Sequence, residues 1–178
     1  MSLSKEEIIK DLRSCSDEFI SFCASIHDDS FFHQPSTKWS IAQNVKHLVI
    51  SATTTRLAFI LPKFIVRLYT GRPNRSSRSY DELVNKYKLK LQQGGKASGI
   101  YIPKTINPQT GKENMLNDFS RTMNRLISSI QKNYRDDQLD QFLAPHPLLG
   151  KITLRELCYF TIYHTQHHLN IIKERGGE

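Results

Sequence analysis

Four long stretches of this chain repeat apolar residues at steps of three and four, and that periodicity admits few folds. Ile8, Leu12, Cys15, Phe19, Phe22 and Ile26 line one side of a first helix. Ile41, Val45, Leu48, Ala52 and Leu57 do so in a second; Met115, Phe119, Met123, Leu126, Ile127 and Ile130 in a third; Leu154, Leu157, Cys158, Thr161, Ile171 and Ile172 in a fourth. A helix with one apolar stripe must bury it against a neighbour. Strand signal is thin, confined to short extended pieces at Phe31-Phe32 and Ile100-Tyr101-Ile102. The expected fold is all-α, a four-helix bundle with a long crossover connection.

The helix limits are written in the sequence. Ser4 with Glu7 forms a capping box for a helix reaching about Ile26. Ser40, directly after Trp39, caps the second helix, which runs towards Leu61; Phe64–Tyr69 reads as its extension, kinked at Pro62. Tyr80–Gln93 reads as a shorter helix ended by Gly94-Gly95, and Asn114–Tyr134 as the third principal one. Asp136–Pro147 reads as a linker; Thr153 with Glu156 is a second capping box, for a last helix to about Arg175. The stretch from Lys96 to Lys112 is a long connection, of the kind that is often functional or mobile. All 178 residues fit one domain.

Composition narrows the setting. The N-terminus is polar, without a signal-peptide pattern, and the longest apolar run, near Leu57–Val66, is broken by Pro62 and Lys63. No membrane span is expected. Cys15, Cys23 and Cys158 lack paired spacing, which suits a reducing cytoplasm. The net charge of +8 is local: residues 63–104 hold ten basic and two acidic residues, and the rest of the chain fifteen of each. Such a segment draws anions, or is a solvated basic surface.

Histidines carry the chemical signal. His164 and His168 are four apart, on the stripe that faces inward, and so within reach of one cation. His167 is turned about 100° away, to the rim. There it suits an acid/base group, a donor that orients a ligand, or a surface residue. In the second helix Asn44, His47, Ser51 and Thr54 form a polar stripe beside the apolar one, which suits a pocket wall. A lone interior histidine is more often a hydrogen-bonded core residue than a ligand, and that reading stands for His47 taken alone.

The segment Trp39-Ser40-Ile41-Ala42-Gln43-Asn44-Val45-Lys46-His47-Leu48, and the segment Pro147–Leu154 followed by His164-x-x-His167-His168, resemble the two motifs of the DinB/YfiT-like superfamily in order and spacing. The resemblance spans nearly the whole chain and is weakest over residues 61–112. It implies the four-helix bundle, His47, His164 and His168 as ligands of a divalent metal such as nickel or zinc, and commonly a homodimer. It also implies an enzyme acting on a small molecule, either a transferase using a low-molecular-weight thiol such as bacillithiol or mycothiol, or a hydrolase.

Three neutral imidazoles leave a metal its full charge and open positions, so it lowers the pKa of a water or of a thiol. The ligand set suits either reaction. No Asp or Glu adjoins the histidines, which tilts the expectation towards thiol transfer or towards hydrolysis without a carboxylate base. Asn44, Ser51, Arg67, Arg72 and Lys104 are candidate substrate contacts, the three cations for carboxylates of an anionic thiol. The competing expectation is a binding module without catalysis, using residues 63–104 on an anionic partner. Nucleic acid is not favoured as that partner, because no nucleic-acid motif is present and aromatic interleaving is thin.

Overall fold

The computed structural model describes residues 2–35 and 38–175. Its long helices are α1 (Lys5–Ser25), α3 (Ile41–Ile60), α6 (Lys112–Asn133) and α7 (Leu154–Arg175); the short ones are α2 (Asp28–Phe32), α4 (Lys63–Thr70) and α5 (Tyr80–Gln92). α3 packs on α6, α6 on α1, α1 on α7, and α7 back on α3. This is the four-helix bundle. The crossover from α3 to α6 spans some fifty residues and carries α4 and α5, and α5 packs on α7.

Local chemistry sets the helix starts. Ser4 with Glu7, Ser40 with Gln43 and Ser79 with Glu82 each form a reciprocal capping box. Thr153 and Glu156 make the same pair of bonds at α7, with Glu156 Oε2 accepting from Thr153 N at 2.9 Å and Thr153 Oγ1 accepting from Glu156 N at 3.2 Å. Phe19, Phe119, Leu126, Ile130 and Ile172 are fully buried in one continuous core. Cys15, Cys23 and Cys158 are buried there as free thiols, and burial pushes all three up to about 12.

Four local expectations are corrected. Phe31-Phe32 is not extended but helical, in α2, where His27 Nδ1 accepts from Asp29 N and Asp28 and Asp29 fill the first turn. Phe64–Tyr69 does not prolong α3. Pro62 has no N–H to continue the ladder, so α4 leaves at 108° to α3. Ile100-Tyr101-Ile102 contains a 3-10 turn over Gly99–Tyr101 rather than a strand. The presumed linker 136–147 holds a 3-10 turn, Asp137–Asp140, and strand β1 (Leu143–His146), paired antiparallel with β2 (Gly150–Thr153). Gly150 sits at φ +75° where the chain turns into β2, a conformation glycine adopts without penalty.

A polar network ties the crossover to α7. Arg75 grips Glu156 with two nitrogens at 2.8 and 2.9 Å, and Arg78 adds a third contact at 3.1 Å. Ser77 bonds both Asp140 and Thr153, and Arg155 binds Asp136, Asp140 and the Leu3 carbonyl. Burial alone would raise the Glu156 carboxyl, but Arg75, Arg78 N–H and Thr153 N–H outweigh it and the net shift is downward. No single helix among the described residues is long and apolar enough to cross a membrane.

Candidate metal centre

α3 and α7 lie side by side, and each offers histidine towards the other. His47, His164 and His168 are buried, at 5, 5 and 6% exposure. Nε2 of His47 and Nε2 of His168 each stand 3.1 Å from Nε2 of His164, and the three ligand atoms lie within 4.8 Å of one another. Phe160 stacks on His164 at 4.7 Å between ring centres, and the Trp39 ring is 5.1 Å from that of His47.

The outer nitrogens are engaged as well. His47 Nδ1 is 2.7 Å from the Tyr101 carbonyl, His168 Nδ1 is 2.7 Å from Asn44 Oδ1, and His164 Nδ1 is 3.4 Å from Ser51 Oγ. Carbonyl oxygens only accept, so His47 and His168 carry their protons on Nδ1 and turn Nε2 lone pairs towards His164. One proton on His164 Nε2 can satisfy only one of them. A cation shared by all three removes the conflict. Ligands held about 2.0–2.1 Å from a zinc-like ion, at angles between octahedral and tetrahedral, stand about 2.9–3.4 Å apart. The observed 3.1 Å falls within that span. Burial pushes His164 well below the usual imidazole value, and the neighbouring His168 and His47 push it further. Burial lowers His47 too, against the opposing pull of the Tyr101 carbonyl. Both are held neutral, the form that binds metal.

A cavity of about 820 Å³ opens onto these histidines. Leu57, Leu61, Ile65, Leu91, Leu143 and Leu157 supply apolar wall, and among the described residues no Asp or Glu lines it. His167 lines it too, its ring stacked on Tyr163 at 5.9 Å between centres.

The expected site residues separate into groups. His47, His164 and His168 come together. Asn44 stands behind His168, with its amide also donating to the Ser40 carbonyl at 2.8 Å, and so does not face the cavity. Ser51 lines the cavity beside His164. Arg67, Arg72 and Lys104 do not line it; the Arg67 guanidinium lies 4.7 Å over the Phe142 ring. The lysines that do line it are Lys96 and Lys151.

The sequence profile of the DinB superfamily matches residues 11–172, spanning all three histidines and Asn44. The chain belongs to the DinB superfamily. Among solved structures, it is similar to the crystal structure of the colibactin self-resistance protein ClbS in complex with a dsDNA. That likeness has a TM-score of 0.52 at 18% identity, over 96% of this chain and 95% of that one. At this identity it speaks for the fold. A search of curated proteins gave no significant match. The DinB match and the geometry bear on the same residues, since both motif segments end at the converging nitrogens.

Three residues around the histidines escaped the sequence reading. Tyr101 contributes only a backbone carbonyl, which no side-chain pattern reveals. Tyr87 lies on the buried face of α5 with Leu83 and Val84, and its ring centre is 6.4 Å from that of His164. The four-residue spacing of Leu83 and Tyr87 is a signal for that face, but not for what it meets. His146 stands alone in sequence before Pro147 and belongs to no motif; the hairpin places it in the cavity wall.

Proposed function

We propose that this DinB-superfamily protein is a divalent-metal-dependent enzyme that acts on a small molecule at an open three-histidine site. The observation that carries this reading is the convergence of three buried Nε2 atoms whose partner nitrogens are occupied. His47, His164 and His168 would hold the ion, with zinc or nickel suited to an all-imidazole site. When bound, it would supply a Lewis acid that lowers the pKa of a water or a thiol.

The chain's own residues do the rest. The Tyr101 carbonyl and Asn44 fix the His47 and His168 rings, which keeps ligand geometry and basicity constant. The apolar wall excludes water and so strengthens electrostatic contacts inside. His167, which lines the cavity, would hold or pass a proton at the edge of the site; burial holds its pKa down. With no carboxylate in the wall among the described residues, transfer of a low-molecular-weight thiol is preferred to carboxylate-assisted hydrolysis. Ser51 is a proposed substrate contact. Arg67, Arg72 and Lys104 would meet only a cofactor that extends past the cavity mouth. A cytoplasmic homodimer of single-domain subunits accords with this reading.

The test is a reaction screen of metal-loaded protein, with thiols plus electrophiles beside esters and amides. Turnover of the thiol and electrophile pairs, absent from His164→Ala, supports the transferase. Turnover of esters or amides without thiol redirects the reading to hydrolysis, and no turnover of any pair refutes both.

A second reading has its own support. A protein of this fold has been solved with duplex DNA, and residues 63–104 carry the whole charge excess. On this reading the segment binds an anionic polymer, and the expectation against nucleic acid falls. Arg75 and Arg78 are already committed to Glu156, which reduces the charge left for phosphates. DNA binding that weakens steeply with salt would favour this reading, and none at low salt would end it.

A further inference from the structure

The cavity wall next to the histidines carries two polar groups that the metal site does not use. The His146 ring is pinned from outside: Leu148 N–H and Leu149 N–H both donate to its Nδ1, at 3.2 and 3.1 Å. A neutral imidazole whose Nδ1 accepts must carry its proton on Nε2. Tyr87 is 6% exposed and packs its ring edge-on against Phe160 and His146, with centroids at 5.2 and 6.2 Å. Its hydroxyl has no partner among the described residues. Yet no fully enclosed side-chain nitrogen or oxygen among them lacks one. The hydroxyl therefore opens onto accessible space, and both residues line the cavity.

We infer that Tyr87 Oη–H and His146 Nε2–H form a donor pair for one acceptor oxygen of the substrate, and that the substrate is a neutral, largely apolar carbonyl compound. This rests on the reading above only in taking the cavity as the substrate site. Two backbone N–H donors on Nδ1 hold His146 as the Nε2–H tautomer, burial keeps that ring neutral with its pKa lowered to about 4, and a phenol hydroxyl keeps its proton at neutral pH. Both groups are then donors across the working pH range. Neutral donors favour a neutral acceptor, because a carboxylate or phosphate would lose more hydration than two neutral bonds return; of the two lysines in the wall, Lys151 donates to the Thr70 carbonyl at 2.9 Å and Lys96 is exposed to solvent. A carbonyl held here lies beside the histidine group, since Phe160 separates His146 from His164 by a single ring. Donors aimed at a carbonyl oxygen also suit the charge that develops there on attack by a nucleophile.

The test compares two fluorescent probes. One is 6-propionyl-2-(dimethylamino)naphthalene, an apolar aromatic ketone; the other is 6-propyl-2-(dimethylamino)naphthalene, the same body with CH2 in place of the carbonyl. Both are titrated into metal-free and zinc-loaded protein. Wild type is expected to bind the ketone more tightly. Tyr87→Phe and His146→Asn should each weaken the ketone by about three- to tenfold, the worth of one neutral hydrogen bond, and leave its partner probe unchanged. His146→Asn keeps an acceptor where Nδ1 stood, so the turn to Leu149 is preserved. His146→Gln places an amide N–H where Nε2 stood and should keep the preference for the ketone. Equal weakening of both probes would mean a structural role and overturn the inference. So would unchanged ketone affinity in the variants, or no ketone preference in wild type. The readout needs no metal, so a protein that shows these preferences but binds no zinc refutes the metal reading alone.

Discussion

Asn44 offers the sharpest single perturbation of the histidine site, because the corresponding support of His47 is a backbone carbonyl that no substitution removes. Asn44→Ala deletes the acceptor 2.7 Å from His168 Nδ1 and the bond to the Ser40 carbonyl at 2.8 Å. His168 Nδ1–H then loses the acceptor that orients its ring. Removing that acceptor costs about 1–3 kcal/mol, and loss of a partner that orients a metal-binding histidine lowers affinity about 10–100-fold. The two figures agree, since tenfold corresponds to about 1.4 kcal/mol. The assay is competition for zinc against a chromophoric chelator, with thermal melts of the metal-free proteins as the folding control. Asn44→Asp keeps an acceptor and should keep affinity while losing the amide bond to Ser40. Wild-type zinc affinity in Asn44→Ala, with the fold intact, would refute the assignment of Asn44 as the residue that sets the His168 tautomer.

Other outcomes follow from burial and charge. Glu156→Gln should cost roughly 2–4 kcal/mol in urea denaturation, less than breaking a fully buried pair, because Arg75 and Arg78 are 34 and 26% exposed and reach water once released. Phe119→Ala should cost about 3–5 kcal/mol in the same assay, since this fully buried ring packs 5.1 Å from Phe19 and leaves a cavity between α1 and α6. Acid should destabilise the metal-free protein. The folded-state values of His47, His146 and His164 lie below their unfolded value of 6.5, so the unfolded chain binds more protons below that pH. Denaturation midpoints should be flat between about pH 7 and 8 and fall as the pH drops from 6.5 to about 4, the lowered value of His146; midpoints that rise as the pH drops over that interval would reverse the sign.

The bundle was legible because its helices announce themselves twice, by apolar period and by N-terminal caps, and the two signals agree at α1, α3 and α7. What could not be read was short structure whose stability comes from tertiary packing. The β1–β2 hairpin has four residues per strand, with Pro145 in one of them, and α2 has five residues around a buried Phe31. Neither is long enough for a period to show. The site divides in the same way. The His164 and His168 pair follows from helical geometry on a single element, and His47 was marked by its motif. Tyr101 and Tyr87 approach from two parts of the crossover and His146 from the hairpin, and their nearness to the histidines is a property of those connections alone. Asn44 shows how a correct face can mislead about role: its stripe position is right, but it points at the back of His168 instead of into the cavity.

Metal content measured by mass spectrometry on wild type and His164→Ala tests the central claim most directly, with circular dichroism to confirm that the variant folds. The His₃ account predicts about one equivalent of a divalent transition metal in wild type and loss of most of it in the variant, because His164 Nε2 lies 3.1 Å from both other ligand atoms and joins them. Wild type that takes up no metal when zinc or nickel is supplied, or stoichiometric metal that survives the substitution undiminished, would contradict it.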